Sequence, residues 1–516
     1  MPGQLAPVDL ISPGFRGVNY EQQGSLLAPS WAVNATNATI DASGRLASRR
    51  GYSNLTGTPI TATPAVKTIF QHITEAGAYT NIVAWDGGIG TGVDAPGSND
   101  ISGSVTDTDG TWWFQNFNGR CIGFQAGQKP IVRTSGNFAT VTEASGTAPT
   151  SAGGIGLCAF GRVWALDSDY QTIKYSALLD ETHWTTGAGS IDMSNVWTNG
   201  TDQVTGIFAF NGFLIVFGHR HVVIWSDNVG NQLGVDPEEL IVVDIITGVG
   251  CESQWTVQYI GDADMMFAGL HGVHSLSRVI QEKSAPLSTW SRAIHTTFLE
   301  NLTEETSKNR IRSVVDPTRG IYILTFPVHA QNTWVFHFNR PFQAQEYNQV
   351  LLPITTWTLA PTAWCWDQEN NRLLLGRAGI IGNYAGLDTD NGTSFVFDYE
   401  SPYMHISEQV SNRLKILKRL GVLVYVLSAT TVTFRWDFDF QGDTRMKIIS
   451  FASGTGSEWG EGEWGEAEWS GALALRIRKF PANGQGQYIM VGLRATVVSQ
   501  IAIQQLEIFS KIGAYA

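Results

Sequence analysis

The chain has 516 residues, enough for two to four domains or one large repeat architecture. Its 55 glycines, 18 tryptophans, 43% hydrophobic and only 15% charged residues exclude a disordered chain or a coiled coil, and no apolar run is long enough to cross a bilayer as a helix. The 33 basic and 46 acidic residues leave a net charge of −13, a poor balance for gripping DNA but a suitable one for a surface that DNA must slide past. From Asp398 onward acids and bases are equal in number, so the excess acid lies before that point.

Residues 1–60 read as an extended arm punctuated by Pro and Gly. Its start lacks the basic and apolar regions of a secretory leader, so synthesis in a cytoplasm is expected; the Asn-x-Thr sequons at Asn34, Asn37, Asn54 and Asn301 are then incidental. Within the arm, Ala28-Pro29-Ser30 leads to Asn37-Ala38-Thr39-Ile40-Asp41, then Gly44-Arg45-Leu46 and Arg49-Arg50-Gly51-Tyr52. The pattern predicts a strand, a tight turn at Ala42-Ser43-Gly44, a return strand and a basic exit turn.

Residues 61–395 fall into recurring units of short apolar strands ended by Gly, Asn or Asp, with starts near 66, 112, 158, 207, 259, 312 and 363. That spacing matches the roughly 40–50 residues of a four-stranded propeller blade. It predicts an all-β, β-propeller-like middle of six to eight blades, with a long-looped β-sandwich as the competing architecture. Helix is scarce, and 299–310 is its best candidate.

Residues 396–516 predict a C-terminal antiparallel β platform or sandwich. In 433–440, Phe434, Trp436, Phe438 and Phe440 alternate with Arg435, Asp437 and Asp439; Leu473, Leu475 and Ile477 alternate with Ala474, Arg476 and Arg478. Each pattern implies one dry and one wet face.

No catalytic set, metal site or cofactor emerges. Cys121, Cys158, Cys251 and Cys365 lie far apart and read as buried thiols. His219 and His221, or His271 and His274, lack a third ligand. Asp107 and Asp109, and Asp388 and Asp390 before Asn391-Gly392, resemble calcium-loop starts but lack the closing Glu and read as turns. Asp167 with Asp169, and Asp262 with Asp264, are carboxylate pairs of the kind that chance supplies. Arg413, Lys415, Lys418 and Arg419 form one basic stripe, better suited to solvent or a subunit than to DNA. Trp459, Trp464 and Trp469 recur every five residues after Glu, as a subunit contact, as local packing or as a sugar platform.

The arm pattern, Pro…Asn-x-x-apolar-Asp…Gly-x-Leu-x-x-Arg-x-Gly-Tyr, resembles the N-terminal signature of tail nozzle proteins of short-tailed bacteriophages (podoviruses), also called tail tubular B or packaged-DNA-stabilisation proteins. Arg162–Ser176 and the aromatic β C-terminus are similar to that family as well; Arg50 stands where Pro is common. The resemblance implies a structural virion protein without catalytic residues. It would form a homo-oligomeric, hexameric ring below the portal and adaptor, with tail fibres or a needle below. Double-stranded DNA would pass through its lumen without sequence-specific binding. Asn37, Asp41, Gly44, Arg45, Arg49, Gly51, Tyr52, Trp459, Trp464 and Trp469 are then candidates for assembly contacts. The alternative is a carbohydrate-binding or carbohydrate-cleaving propeller for receptor recognition.

Overall fold

A computed structural model describes residues 6–11, 14–96, 99–134, 136–227, 236–261, 264–282, 289–327, 333–405, 413–451 and 474–515. The fold is all-β: successive small antiparallel meanders form a propeller, and two larger sheets form a sandwich beside it.

Seven sheets make the propeller, at 66–91, 113–140, 156–192, 204–247, 258–275, 312–357 and 363–384. Their first strands start at Val66, Trp113, Gly156, Val204, Gln258, Arg312 and Ala363, within a few residues of the starts read from the sequence. Tight turns recur at the first hairpin: Asn118-Gly119, Phe160-Gly161 and Asn211-Gly212 all have positive φ at both residues. Such primed turns match the twist of the strands they join. In blade four, Leu214–Phe217 and Val222–Ile224 are buried on both faces. One face packs on blade three with Trp164 and Leu166, the other on blade five with Met265 and Phe267. That two-sided burial is why these strands read as continuous apolar runs rather than alternating ones.

The ring closes where blade seven meets blade one, through Ile69, Val83 and Trp85 against Ala363, Leu374 and Ile381. Blade seven takes its outermost strand from the arm: Tyr52–Asn54 pairs antiparallel with Ile381–Tyr384. An N-terminal strand therefore completes a C-terminal blade, which ties the ring shut with backbone hydrogen bonds instead of leaving an edge.

The arm also joins propeller to sandwich. Asn34–Thr36 lies between Ile354–Trp357 of blade six, in parallel, and Phe395–Glu400 of the sandwich, antiparallel. One ten-stranded sheet thus runs from the propeller through the arm into the C-terminal part. The second sheet is built on Arg413–Val426 and Ile501–Tyr515, and receives the arm strands Ala6–Ile11 and Leu46–Ser48. Between the two sheets lie Leu420, Val422, Val424, Leu506 and Ile508 from one, and Phe434, Trp436, Val491 and Leu493 from the other.

Three expectations need correction. The helix begins earlier and ends sooner, at His295–Glu304, because Glu305 is extended; Lys308–Arg310 follows as a separate 3-10 turn, and a helix at Leu276–Glu282 was not foreseen. The strand expected to 440 stops at Phe438, since Asp439 and Phe440 adopt φ of 50° and 57°, and Phe440 is left exposed. In Ala474–Pro481 the faces are reversed. Pairing of Leu420 with Phe480 sends Phe480 into the core, so Leu475 and Ile477 point outward.

Candidate functional site

The arm residues singled out in the sequence converge on the joint between propeller and sandwich. Asn37 sits at φ 53° at the exit of the inserted strand, a left-handed conformation that Asn tolerates better than most residues. Its side chain bonds in several directions: Nδ2 donates to the Val396 carbonyl at 2.7 Å, and Oδ1 accepts from Arg49 Nε at 2.8 Å and from Thr358 N at 2.9 Å. Val396 belongs to the sandwich sheet, and Thr358 follows the last strand of blade six.

Arg49 is fully buried. Its guanidinium forms a two-pronged pair with Asp390, at 2.7 and 2.8 Å, and lies 3.7 Å from the ring centre of Phe395. Nη1 also donates to the Arg50 carbonyl. A buried charge is tolerated when paired with this geometry and further hydrogen bonds. Arg50 makes an ion pair with Asp388 at 2.9 Å. Asp388 and Asp390, which resemble a calcium-loop start in the sequence, are therefore the counter-charges of Arg50 and Arg49.

The hairpin turn is held by Asp41. Its carboxylate accepts from Ser43 N and Arg45 N, both at 2.9 Å, and from Arg45 Nε at 2.6 Å. Arg45 also stacks over Tyr425 at 4.0 Å, and Arg340 donates to the carbonyls of Asp41 and Ala42. Gly44, at φ 83°, closes the turn where an added Cβ would meet the Arg340 guanidinium at 2.9 Å. Gly51 allows a closer approach: a Cβ there would stand 2.0 Å from the Thr389 carbonyl oxygen. Tyr52 is buried in blade seven, and Arg377 donates to its hydroxyl. Asn37 and Arg49 are enclosed within one chain, so any effect they have on assembly passes through the fold. Trp459, Trp464 and Trp469 lie outside the described residues.

The outer faces of the sandwich carry a signal the sequence reading missed. Leu475 and Ile477, 44% and 64% exposed, face outward from one sheet; Met446 and Ile448, both 64% exposed, face outward from the other. Alternation in 445–451 with Phe451 as the buried anchor would have located the second row.

The remaining candidates are structural. His221 Nδ1 donates to Asp202 at 2.7 Å, while His219 contacts Glu252 at 3.1 Å, so the two rings do not converge. Burial opposes ionisation of Asp202, yet His221 and the N–H groups of Arg220, Gln203 and His219 keep its carboxyl below the usual range. Glu252 raises His219. Burial drops His274 to about 3, and His271 adds to it. Asp107 accepts from Gly110 N, Trp112 Nε1 and Gln125 Nε2; Asp169 caps its own turn; Asp167 pairs with Lys174; Asp264 accepts from Ser277 N; Asp262 lies outside the described residues. Burial raises all four thiols. The basic stripe is not one face: Lys415 is buried, whereas Lys418 and Arg419 are exposed. Among the described residues, no group of three or more His, Cys, Asp or Glu is placed to hold a metal.

No family model and no curated protein matches the chain. Among solved structures, it is similar to the extracellular domain of a one-component system from B. thetaiotaomicron, with a TM-score of 0.41 and 12% identity over 89% of this chain. The chain spans 62% of that neighbour's length. A computationally designed protein gives a TM-score of 0.35 and 10% identity over 64% of this chain and 99% of its own. The extracellular domain of a hybrid two-component system from B. thetaiotaomicron gives 0.31 and 9%, over 87% of this chain and 61% of its own.

Proposed function

We propose that this chain is a structural subunit of a short phage tail: a nozzle protein whose hexameric ring extends the DNA-ejection channel below the portal and adaptor. The observation that carries the reading is the arm joint. The residues in which the chain resembles nozzle proteins, Asn37, Arg49 and Tyr52 among them, are those that tie the propeller and the sandwich together. A tube wall that holds a packaged genome and then releases it needs rigid subunits more than it needs a reacting group. Continuous sheet across the joint supplies that rigidity.

Ring closure needs a head-to-tail contact between two different surfaces of the subunit. The apolar rows at Leu475 and Ile477 and at Met446 and Ile448, on opposite outer faces of the sandwich, suit such a contact. The excess acid suits a lumen that does not hold DNA.

The test is cross-linking of the Met446→Cys, Ile477→Cys double variant, assembled with the adaptor and oxidised. A ladder of bands ending at six subunits is expected. A ladder ending at two, or no cross-link in the presence of adaptor, would count against the ring.

A further inference from the structure

The first strands of blades one, two, five, six and seven enclose a cavity of ≈ 220 Å³ on the propeller axis. It shares Lys67 and Arg312 with a mouth of ≈ 380 Å³ that is also lined by Arg310, Asn309 and Thr111. At ~30 Å³ per water, the axial space is several waters in size. It lies below the ~300–1,000 Å³ of pockets for drug-sized ligands, which fits a single small ring.

The lining carries three cations, Lys67, Arg310 and Arg312, against one carboxylate, Asp109. Arg312 is buried, with its guanidinium 4.1 Å from the ring centre of Trp255. All its hydrogen bonds go to backbone carbonyls, those of Lys67, Asn309 and Ile311. Among the described residues no carboxylate forms a direct ion pair with it; burial pulls its pKa down, and the charges of Asp109 and Glu305 nearby offset part of that. Lys67 likewise donates to a carbonyl, that of Asp109. Arg310 is exposed at the rim, and among the described residues none of these three cations has an ion pair. The mouth's one carboxylate, Asp109, accepts through Oδ1 from Thr111 N at 2.9 Å and Gln125 Nε2 at 3.3 Å. A buried cation with no direct ion pair is costly, and an entering anion within hydrogen-bond reach would relieve it.

The rest of the wall is aromatic and amide. Trp113 and Trp255 meet edge to face at 4.9 Å, both half-buried, and Gln115 and Gln258 border the same space. Indole faces cover the apolar face of a sugar ring, amides serve its hydroxyls, and arginine takes a carboxylate or phosphate in two-pronged fashion. We propose that the axial mouth of the propeller binds an acidic monosaccharide, its anionic group held by Lys67, Arg310 and Arg312 and its ring set against Trp113 and Trp255. The site does not depend on the ring-forming role and stands or falls separately from it.

Calorimetric titration of the full chain with glucuronate, N-acetylneuraminate, glucose 6-phosphate, inorganic phosphate and glucose tests this. Saturable binding of at least one acidic sugar is expected, with glucose at least about tenfold weaker. Arg310→Gln and Lys67→Gln should each weaken it by about tenfold, as loss of one charge-assisted hydrogen bond implies. Arg310 is exposed, so its variant keeps the fold and an unchanged melting temperature. The proposal is overturned by no binding of any acidic sugar, by glucose binding equally well, or by both variants binding like the parent. Inorganic phosphate binding as tightly as every acidic sugar would overturn the assignment to a sugar.

Discussion

Arg49 concentrates more of the joint in one side chain than any other arm residue. Arg49→Ala leaves Asp390 without its partner and Asn37 Oδ1 without one of its donors, a loss of about 3–5 kcal/mol by analogy with other broken buried pairs. Urea denaturation of the variant measures it, and a loss under about 1 kcal/mol would show that the pair is solvated. Arg45→Ala removes a half-buried pair and a stacking contact, for about 1 kcal/mol. Both residues were visible in the sequence as part of a motif. Asp41, the partner of Arg45, lies in the same motif, but the partner of Arg49 does not: Asp390 is 341 positions away and reads in the sequence as a turn. Nothing in a single sequence links two charges that the fold brings together across an inserted propeller.

Histidine burial sets a pH dependence at the same scale. His274 and His337 are both held near 3 by burial, against an ordinary value of 6.5. Each is neutral in the folded chain and takes up a proton on unfolding. Their stabilising contribution is therefore present above about pH 6.5 and falls as the pH drops toward 3, by up to about 1.4 kcal/mol per unit for each. His219 has the opposite sign, since Glu252 raises it: its contribution is present at low pH and is lost as the pH rises through its folded value. Being partly exposed, it offsets little. Denaturation midpoints from pH 7 to 4 should fall, and the slope should flatten in His274→Gln. A slope unchanged by that substitution would contradict the assignment.

At the scale of elements, the closing strand Tyr52–Asn54 is the piece on which the propeller ring depends. Gly51 precedes it where no side chain fits against Thr389. Gly51→Ala should displace the strand and cost about 1–3 kcal/mol, with protease cleavage of the arm preceding global unfolding. Cleavage no faster than in the parent would mean that the backbone yields without releasing the strand. The blades were legible because two-sided burial writes continuous apolar runs and because the first hairpin turn of each blade carries Gly or Asn at positive φ. Strand exchange was not legible: Asn34–Thr36 and Tyr52–Asn54 are three residues each, too short to carry a periodicity. The reversed face of Ala474–Pro481 was lost for a related reason. Alternation gives two faces but not which one is inside, and here the single buried Phe480 decides it.

At the scale of the molecule, a propeller and a sandwich sharing one sheet form a stiff body with two outward apolar rows. Met446→Asp or Ile477→Asp should leave stability within about 0.5 kcal/mol, since the side chains are exposed, and should block assembly into rings. Size-exclusion chromatography with the adaptor reads that outcome; normal rings from both variants would move the contact elsewhere. The ring itself is the central claim, and electron-microscopic imaging of the purified chain with its adaptor tests it most directly. The account predicts hollow sixfold particles with a mass near six times 56.3 kDa for this component. Solitary or threefold particles in the presence of the adaptor would contradict it.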